Sequence, residues 1–339
     1  MLRASAEKKI LNFKRPAGTS RGVLTDKLCW IIKVWDEASP HLVGVGEASV
    51  IKTLSPDWSP NYEIKLAEVV QNIEYHKQSN FEDLKEFPSI KFGCEMAVID
   101  LESGGEQEYF SSPFTEGKEG ITINGLIWMG EKSFMFDQIK SKLDAGFNCV
   151  KLKIGAIDFK EEIDLLKYIR SQFSSKEVEL RVDANGAFEP SKALEKLKTL
   201  NEFDLHSIEQ PIKQGQWQQM AELCATSPLD IALDEELIGV TSQNEREQML
   251  REINPQYIIL KPSLLGGFAA SDQWIQLAEK LDIKWWITSA LESNVGLNAL
   301  AQYTFTKGNK LPQGLGTGQL FTNNLPSSLN IKGDKLYHH

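Results

Sequence analysis

The chain has 339 residues, a formal net charge of −10 and a pI near 5.2. That length exceeds one small core and suits a (β/α)₈ barrel of about 250 residues joined to a smaller domain. The acidic balance argues against nucleic acid or an anionic membrane as a non-specific partner, yet leaves room for a local basic pocket that takes a small anion.

The four cysteines, Cys29, Cys94, Cys149 and Cys224, are far apart and form no CxxC pair. They read as reduced, buried and structural. Residues 1–18 carry charges among few apolar residues, so neither a signal peptide nor a membrane span is expected, and a cytoplasmic protein is. Monomer and homo-oligomer stay equally open.

Residues 27–34 (KLCWIIKV) and 41–50 read as strands joined by a turn through 36–40, and residues 61–78 and 88–103 read as helices from their apolar spacing. Residues 104–120 are rich in Gly, Ser and Glu and read as a boundary. Beyond them, short apolar strands alternate with amphipathic stretches. The strands are expected at 121–128, 149–155, 179–186, 205–211, 231–236, 257–262 and 283–290, with a short eighth candidate near 311–317. Helices at 159–171, 190–201, 242–253 and 267–281 fill gaps between them. This alternation predicts an α/β fold with a parallel sheet, and eight units favour closure into a barrel. The domains are then a cap at 1–115, a barrel at 116–321 and a tail at 322–339 that packs back on the cap.

Polar residues recur at the C-terminal ends of these strands: Lys153, Asp183, Glu209, Asp234, Lys261 and Ser289. They come at intervals of about one βα unit, so in a barrel they meet on the face where such folds carry their sites. Strand ends are polar anyway where they leave a core, but that poorly explains three consecutive carboxylates flanked by lysines. Asp183, Glu209 and Asp234 would repel one another unless a cation sat between them. Oxygen-only donors point to Mg²⁺ first and Mn²⁺ second. His206, an odd number of residues before Glu209, should face the other way, which makes zinc a poor fit.

Lys151 and Lys153 lie two apart on one strand and share the interior face. A buried lysine is costly unless paired or used, and a metal and a second ammonium nearby would lower its pKa, as a general base requires. Lys261 flanks the acids from the other side. For Lys151, binding substrate and merely neutralising the acids are both open. Arg181 shares the face of Asp183 and reads either as a substrate contact or as a buried counter-charge. Asn185 and Glu235 adjoin the metal ligands and read as groups that orient them or the lysines. Ser289 offers a hydroxyl. The run 314–318 (GLGTG) offers backbone N–H groups at Gly316 and Thr317 that suit a carboxylate. A metal among carboxylates with ammonium groups around it suits removal of a proton next to a carboxylate. The same triad speaks against a Schiff-base mechanism at Lys261 or a barrel reused as a scaffold.

The segments KLKIG, VDANGAF, IEQP, LDEE and LKPS, in this order and spacing, resemble the muconate-lactonising subgroup of the enolase superfamily. The resemblance covers the whole chain and implies a capping α+β domain on a modified TIM barrel, (β/α)₇β. It implies Mg²⁺ on Asp183, Glu209 and Asp234. It further implies Lys153 as the base that takes the α proton and returns it to a departing hydroxyl, and Lys261 as the cation that stabilises the enediolate. The late segments 289–305 (SALESNVGLNALAQYTF) and 314–324 (GLGTGQLFTNN) resemble the subgroup's dehydratases. Dipeptide epimerases of the subgroup usually carry D-x-D after the eighth strand, and this chain has Gly-Leu-Gly-Thr-Gly there. The implied activity is dehydration of a small anionic ring substrate, with N-acylamino acid racemisation or dipeptide epimerisation as the alternative. Residues 16–22 match a mobile loop of the family, with Arg21 a candidate contact to a substrate carboxylate.

Overall fold

The structure, a computed structural model, describes residues 1–19 and 22–339. Arg21 lies outside the described residues.

The chain opens with three antiparallel strands, β1 (Leu2–Thr19), β2 (Gly22–Asp36) and β3 (Ser39–Val50), in the order β1-β2-β3. The central and last strands contain the expected segments, but β1 was not legible. It is an edge strand whose inward residues, Leu2, Ala4 and Ala6 in one stretch and Leu11 and Phe13 in the next, are separated by Glu7, Lys8 and Lys9, and its Ile10 is exposed, so its apolar alternation is broken. Helices α1 (Tyr62–Gln71), α2 (Ile73–Gln78) and α3 (Pro88–Glu102) follow. Pro88 opens α3 at a position where its missing N–H costs nothing. The helix lies almost on the backbone of β3, and only glycine permits this. A Cβ at Gly44 would stand 2.0 Å from the Ala97 carbonyl, and one at Gly46 2.1 Å from that of Gly93. Residues 104–120 form no regular element, yet they are not a loose linker. Tyr109 and Phe114 are buried, and Gln302 binds both the Phe110 amide and the Gln107 carbonyl.

The barrel comprises β4 (Ile121–Thr122), β5 (Gly125–Ile127), α4 (Lys132–Asp144), β6 (Cys149–Lys153), α5 (Phe159–Gln172), β7 (Glu179–Asp183), α6 (Pro190–Asn201), β8 (Ser207–Glu209), α7 (Trp217–Thr226), β9 (Ile231–Leu233), α8 (Gln243–Ile253), β10 (Tyr257–Leu260), α9 (Pro262–Leu265), α10 (Gly267–Lys280), β11 (Lys284–Ile287) and α11 (Asn294–Thr306). Strands β5 to β11 make one seven-stranded sheet in sequential order, parallel throughout. The eighth unit is reduced to two bridges, Ile123 with Gln313 and Thr288 with Gly314, which join the sheet's two edges. Pro312 and the glycines after it leave no room for a longer ladder. The expected strand at 121–128 is split, because β4 pairs not with the barrel but with β13 (Lys335–His338), itself paired with β12 (Leu329–Lys332). The tail therefore holds two places: Thr322 and Asn323 bind β1, and the last hairpin closes on β4.

Two cap carboxylates fasten the cap to the barrel by capping barrel helices. Glu47 on β3 accepts from the backbone N–H groups of Ser293 and Gly296 at the start of α11, each at 2.9 Å. Glu95 on α3 accepts from the Phe268 N–H at 2.7 Å at the start of α10. Each anion meets unpaired amides and the positive end of a helix dipole. Gly267, at φ +89°, makes room, since a Cβ there would lie 2.1 Å from Glu95 Oε2.

Burial raises the Glu95 carboxyl to about 7 from 4.5, although Lys91 and the helix amides pull it down. Within that window the folded chain holds a proton that the unfolded chain releases. The carboxyl's contribution to stability is therefore fully present below about pH 4.5 and is lost as the pH rises through 7. Glu95→Gln keeps an acceptor without the charge. Denaturant titrations from pH 5 to 8 should show a flatter pH profile for this variant, with its stability relative to wild type rising by on the order of 2 kcal/mol across the range. Parallel profiles would show that Glu95 does not titrate there.

Candidate active site

The sheet register brings the strand-end residues together. Lys153 pairs in register with Asp183, and Asp183 with Glu209, so three neighbouring strands carry them side by side on the interior face. All three are buried, as are Asp234 and Glu235. Asp234 follows β9 directly, and Lys261 follows β10. The ammonium groups interleave with the acids. Lys151 Nζ donates to Asp183 Oδ2 at 3.0 Å and to Glu209 Oε2 at 2.6 Å. Lys153 Nζ donates to Asp183 Oδ2 at 2.9 Å and to Asn185 Oδ1 at 2.7 Å. Lys261 Nζ donates to Asp234 Oδ2.

Electrostatics follow from this interleaving. Burial opposes ionisation of Asp183, but Lys151 and Lys153 outweigh it and hold its carboxyl below the usual range. Asp234 is lowered in the same way by Lys261. Glu209 goes the other way, raised by burial and by the neighbouring charges of Asp183 and Asp234, which outweigh Lys151. Burial works against the Lys151 charge, yet Asp183 and Glu209 win and its pKa is raised. For Lys151 the acids, rather than a second ammonium, dominate, contrary to the lowering expected for a lysine in this site.

Among the described residues no three acidic, His or Cys side chains close on a common point that could hold a metal ion as they stand, for the Lys151 ammonium lies between two of the acids. The donor set nevertheless fits a hard divalent cation. Glu209 Oε1 is buried without a hydrogen-bond partner, and the carboxyl it belongs to is crowded by two other acids. A cation among these oxygens would satisfy the orphaned atom and relieve the repulsion.

Supporting groups lock this constellation. Asn185 receives Lys153 on its oxygen, donates from Nδ2 to Glu235 Oε1 at 3.0 Å, and donates its backbone N–H to Asp183 Oδ1 at 3.0 Å. Its φ of +45° is a conformation that Asn accepts more readily than most residues. Gln210, not singled out from the sequence, is fully buried; its Oε1 accepts from the Asp234 and Glu236 amides and its Nε2 donates to Glu236. Its position directly after a ligand-type glutamate, in IEQP, was the available signal.

Above the acids a pocket opens. Lys151, Lys153, Asp183, Asn185 and Lys261 line its floor, and Ser289, Gly314, Gly316 and Thr317 line one wall. Ser289 Oγ and Thr317 Oγ1 are hydrogen-bonded at 2.6 Å. The rest of the lining is largely apolar and was not legible: Leu126 and Trp128 come from the first barrel strand and its exit, and Leu24, Ile51 and Leu54 from the cap. Of the lid stretch, Gly18 bridges Met129 beside the barrel mouth.

Two expectations need correction. Arg181 neither lines the pocket nor binds the triad. It donates to Glu179 Oε1 at 2.7 Å and to the Pro312 carbonyl at 2.9 Å, and its guanidinium lies 4.3 Å from the Trp286 ring centre. It is two residues earlier on the strand than Asp183, and that places it one layer lower in the barrel, where it fills the interior. His206 lies in the same lower region, its ring 4.9 Å from that of Tyr257 and 6.2 Å from that of Trp286. It is removed from the acids by height rather than by facing outward.

A profile described as "Enolase C-terminal domain-like" matches residues 135–331. The chain is 50% identical over 357 aligned positions to an o-succinylbenzoate synthase of Desulfotalea psychrophila, covering 96% of each. This chain belongs to the enolase superfamily. The crystal structure of MenC from the same organism superposes with a TM-score of 0.87 at 46% identity over 99% of both chains. A dipeptide epimerase from Cytophaga hutchinsonii, complexed with Mg and a dipeptide, shares the fold at a TM-score of 0.85 and 19% identity, over 99% of this chain and 93% of that one. Enzymes of this superfamily use a divalent metal ion. No helix among the described residues is long and apolar enough to cross a membrane.

If Asn185 sets the direction of the Lys153 ammonium, Asn185→Gly removes that hold while keeping a residue that accepts positive φ. Steady-state kinetics on the substrate proposed below should show kcat reduced by about 10–100-fold, with the melting temperature little changed.

Proposed function

We propose that this superfamily member is an o-succinylbenzoate synthase. It dehydrates 2-succinyl-6-hydroxy-2,4-cyclohexadiene-1-carboxylate to 2-succinylbenzoate in menaquinone biosynthesis, and it acts in the cytoplasm. The observation that carries this reading is half-identity to such an enzyme along 96% of both chains. Asp183, Glu209 and Asp234 are the proposed ligands of Mg²⁺, with Mn²⁺ a substitute. The metal, when bound, neutralises charge that grows on the substrate carboxylate as the neighbouring proton leaves.

The residues divide the remaining work. Lys153, in its neutral form, takes the proton from the carbon that bears the carboxylate. The electron pair moves into the ring, the carbon–hydroxyl bond breaks, and the same amine returns its proton to the hydroxyl, which leaves as water. One group serves twice, so both events occur on one face of the ring. Asn185 and Asp183 hold that amine at the pocket floor. Lys261 stays cationic, because Asp234 outweighs the effect of burial on it, and it faces the developing negative charge. Lys151, shared between Asp183 and Glu209, bridges the two acids and offsets their repulsion. Ser289, Thr317 and the Gly316 backbone receive the succinyl arm.

A second reading has one observation in its favour: Lys153 and Lys261 both line the pocket, as proton removal on one face and return on the other requires. N-acylamino acid racemisation is therefore the proposed alternative activity. Deuterium exchange at the α carbon of an N-succinylamino acid would reveal it.

Purified protein with Mg²⁺ should convert the cyclohexadiene substrate, and Lys153→Ala should lower kcat by about 10³-fold or more. No conversion with either Mg²⁺ or Mn²⁺ would overturn the assignment. Independently of turnover, Mg²⁺ should raise the melting temperature of the wild type by mass action. Glu209→Gln should abolish that rise, and an undiminished rise would remove Glu209 from the ligand set.

A further inference from the structure

Leu291 stands in the pocket wall at φ +63°, in the left-handed region where a leucine's Cβ crowds its own backbone. Ala290, just before it, is held at both of its backbone polar groups. The Ala290 carbonyl accepts a hydrogen bond from Lys27 Nζ, and the Ala290 N–H donates to Glu292 Oε2 at 2.8 Å. That carbonyl lies in the same rigid plane as the Leu291 amide, so holding it fixes one side of the bond about which φ turns.

Lys27 belongs to the cap, on β2, and is 3% exposed. It does not line the pocket and makes no contact with the acids of the floor. Its charge is set among Glu47 and Glu292, both completely buried. Glu292 Oε1 accepts from Ser263 Oγ at 2.5 Å, two residues beyond Lys261, while Glu47 holds the start of α11. A buried ammonium is costly unless it is used, and a strained turn persists only where its surroundings over-determine it. Here one side chain from another layer of the fold meets both conditions.

We propose that Lys27 is a positioning residue for the reaction: from the cap, it holds the Ala290–Leu291 peptide in the strained form that aims Ser289 and Leu291 at the arm of the substrate carrying its second carboxylate. The identity of that arm rests on the function proposed above; the grip on the turn does not.

Lys27→Met removes the donor and the charge at nearly constant length. Hydrogen–deuterium exchange of the free protein should become about tenfold faster or more in the peptide spanning residues 288–293. In kinetics, KM for the cyclohexadiene substrate should rise about tenfold while kcat stays within about threefold. The Mg²⁺ concentration for half-activation should not move, because Lys27 touches none of the acids. A merely structural role would shift all three together, and that result would overturn the proposal. So would unchanged exchange and a KM within twofold in a folded variant. Should Lys27→Met fail to fold, Lys27→Arg keeps the charge but displaces the donor, and the same split is expected from it, with the same results counting against. If the wild type does not dehydrate the substrate, the functional reading falls, while the exchange measurement still decides whether Lys27 holds the turn.

Discussion

The cancellation of charge at the top of the barrel is the constraint on which the rest of the structure depends. Three buried acids, Asp183, Glu209 and Asp234, meet three ammonium groups, those of the buried Lys151 and Lys153 and of the partly buried Lys261. In a weakly polarisable interior neither set is tolerable alone, since each unpaired ion costs several kcal/mol. Together they largely offset one another, and with the buried Glu235 the acids exceed the ammonium groups by one. A divalent cation added to this set leaves the site net positive. An acidic protein thereby presents a cationic pocket, and a dicarboxylate is the kind of ligand such a pocket attracts. The overall charge of the chain and the charge of its site thus point in opposite directions without contradiction.

Parallel strands make this balance possible. Register sets Lys153, Asp183 and Glu209 at one height, while alternation keeps Lys151 and Arg181 on the same face one layer lower. The same rule explains which residues were legible in the sequence. Chemistry at strand ends recurs once per βα unit, so the acids, the lysines and Asn185 could be located from spacing alone. Arg181 obeyed the same alternation and stands level with Lys151, but alternation says nothing about which partners a long side chain reaches: Lys151 extends to Asp183 and Glu209, whereas Arg181 turns to Glu179 and the Pro312 carbonyl and fills the interior. Strand β1 was hidden because a run of charged residues interrupts its inward apolar positions and Ile10 faces solvent, so no steady alternation shows. The apolar pocket wall was hidden because Leu24, Ile51 and Leu54 arrive from another layer, and no local pattern encodes which loops of one domain will face the strand ends of another.

The cap is therefore part of the site rather than a cover placed over it. Its attachment adds directional polar bonds to an apolar seam, in which Phe92 of α3 packs on Phe268 of α10 with ring centres 5.0 Å apart and which alone would have allowed sliding. Glu47 and Glu95 each find unpaired amides at a helix start, a target with fixed direction. Gly267 supports the second contact by leaving out a Cβ that would strike Glu95, and the close approach of α3 to β3 through Gly44 and Gly46 makes the cap itself rigid. Directional bonds between rigid parts transmit position. That is what a pocket assembled from two domains needs if its walls are to keep their spacing.

Dehydration and racemisation begin identically, with a lysine removing a proton next to a carboxylate, and a pocket that offers Lys153 and Lys261 from two sides does not by itself choose between them. What differs is the next event. A ring that bears a hydroxyl on the face of Lys153 can expel it with the proton just taken, whereas a substrate without a leaving group can only be reprotonated, and from the far side if the product is to be inverted. The choice therefore passes from the bases to whatever fixes the substrate's orientation about its own carboxylate. The residues that can do this are those of the wall, Ser289, Leu291, Gly316 and Thr317, together with the apolar surface of Leu126 and Trp128. A left-handed leucine in that wall costs roughly 1–3 kcal/mol relative to a relaxed turn. A fold that merely needed to close a loop would place glycine there. Strain kept at a position facing the substrate, and held from the cap, is the expense of orientation; orientation, rather than the identity of the acid and base, separates one reaction from the other in this barrel.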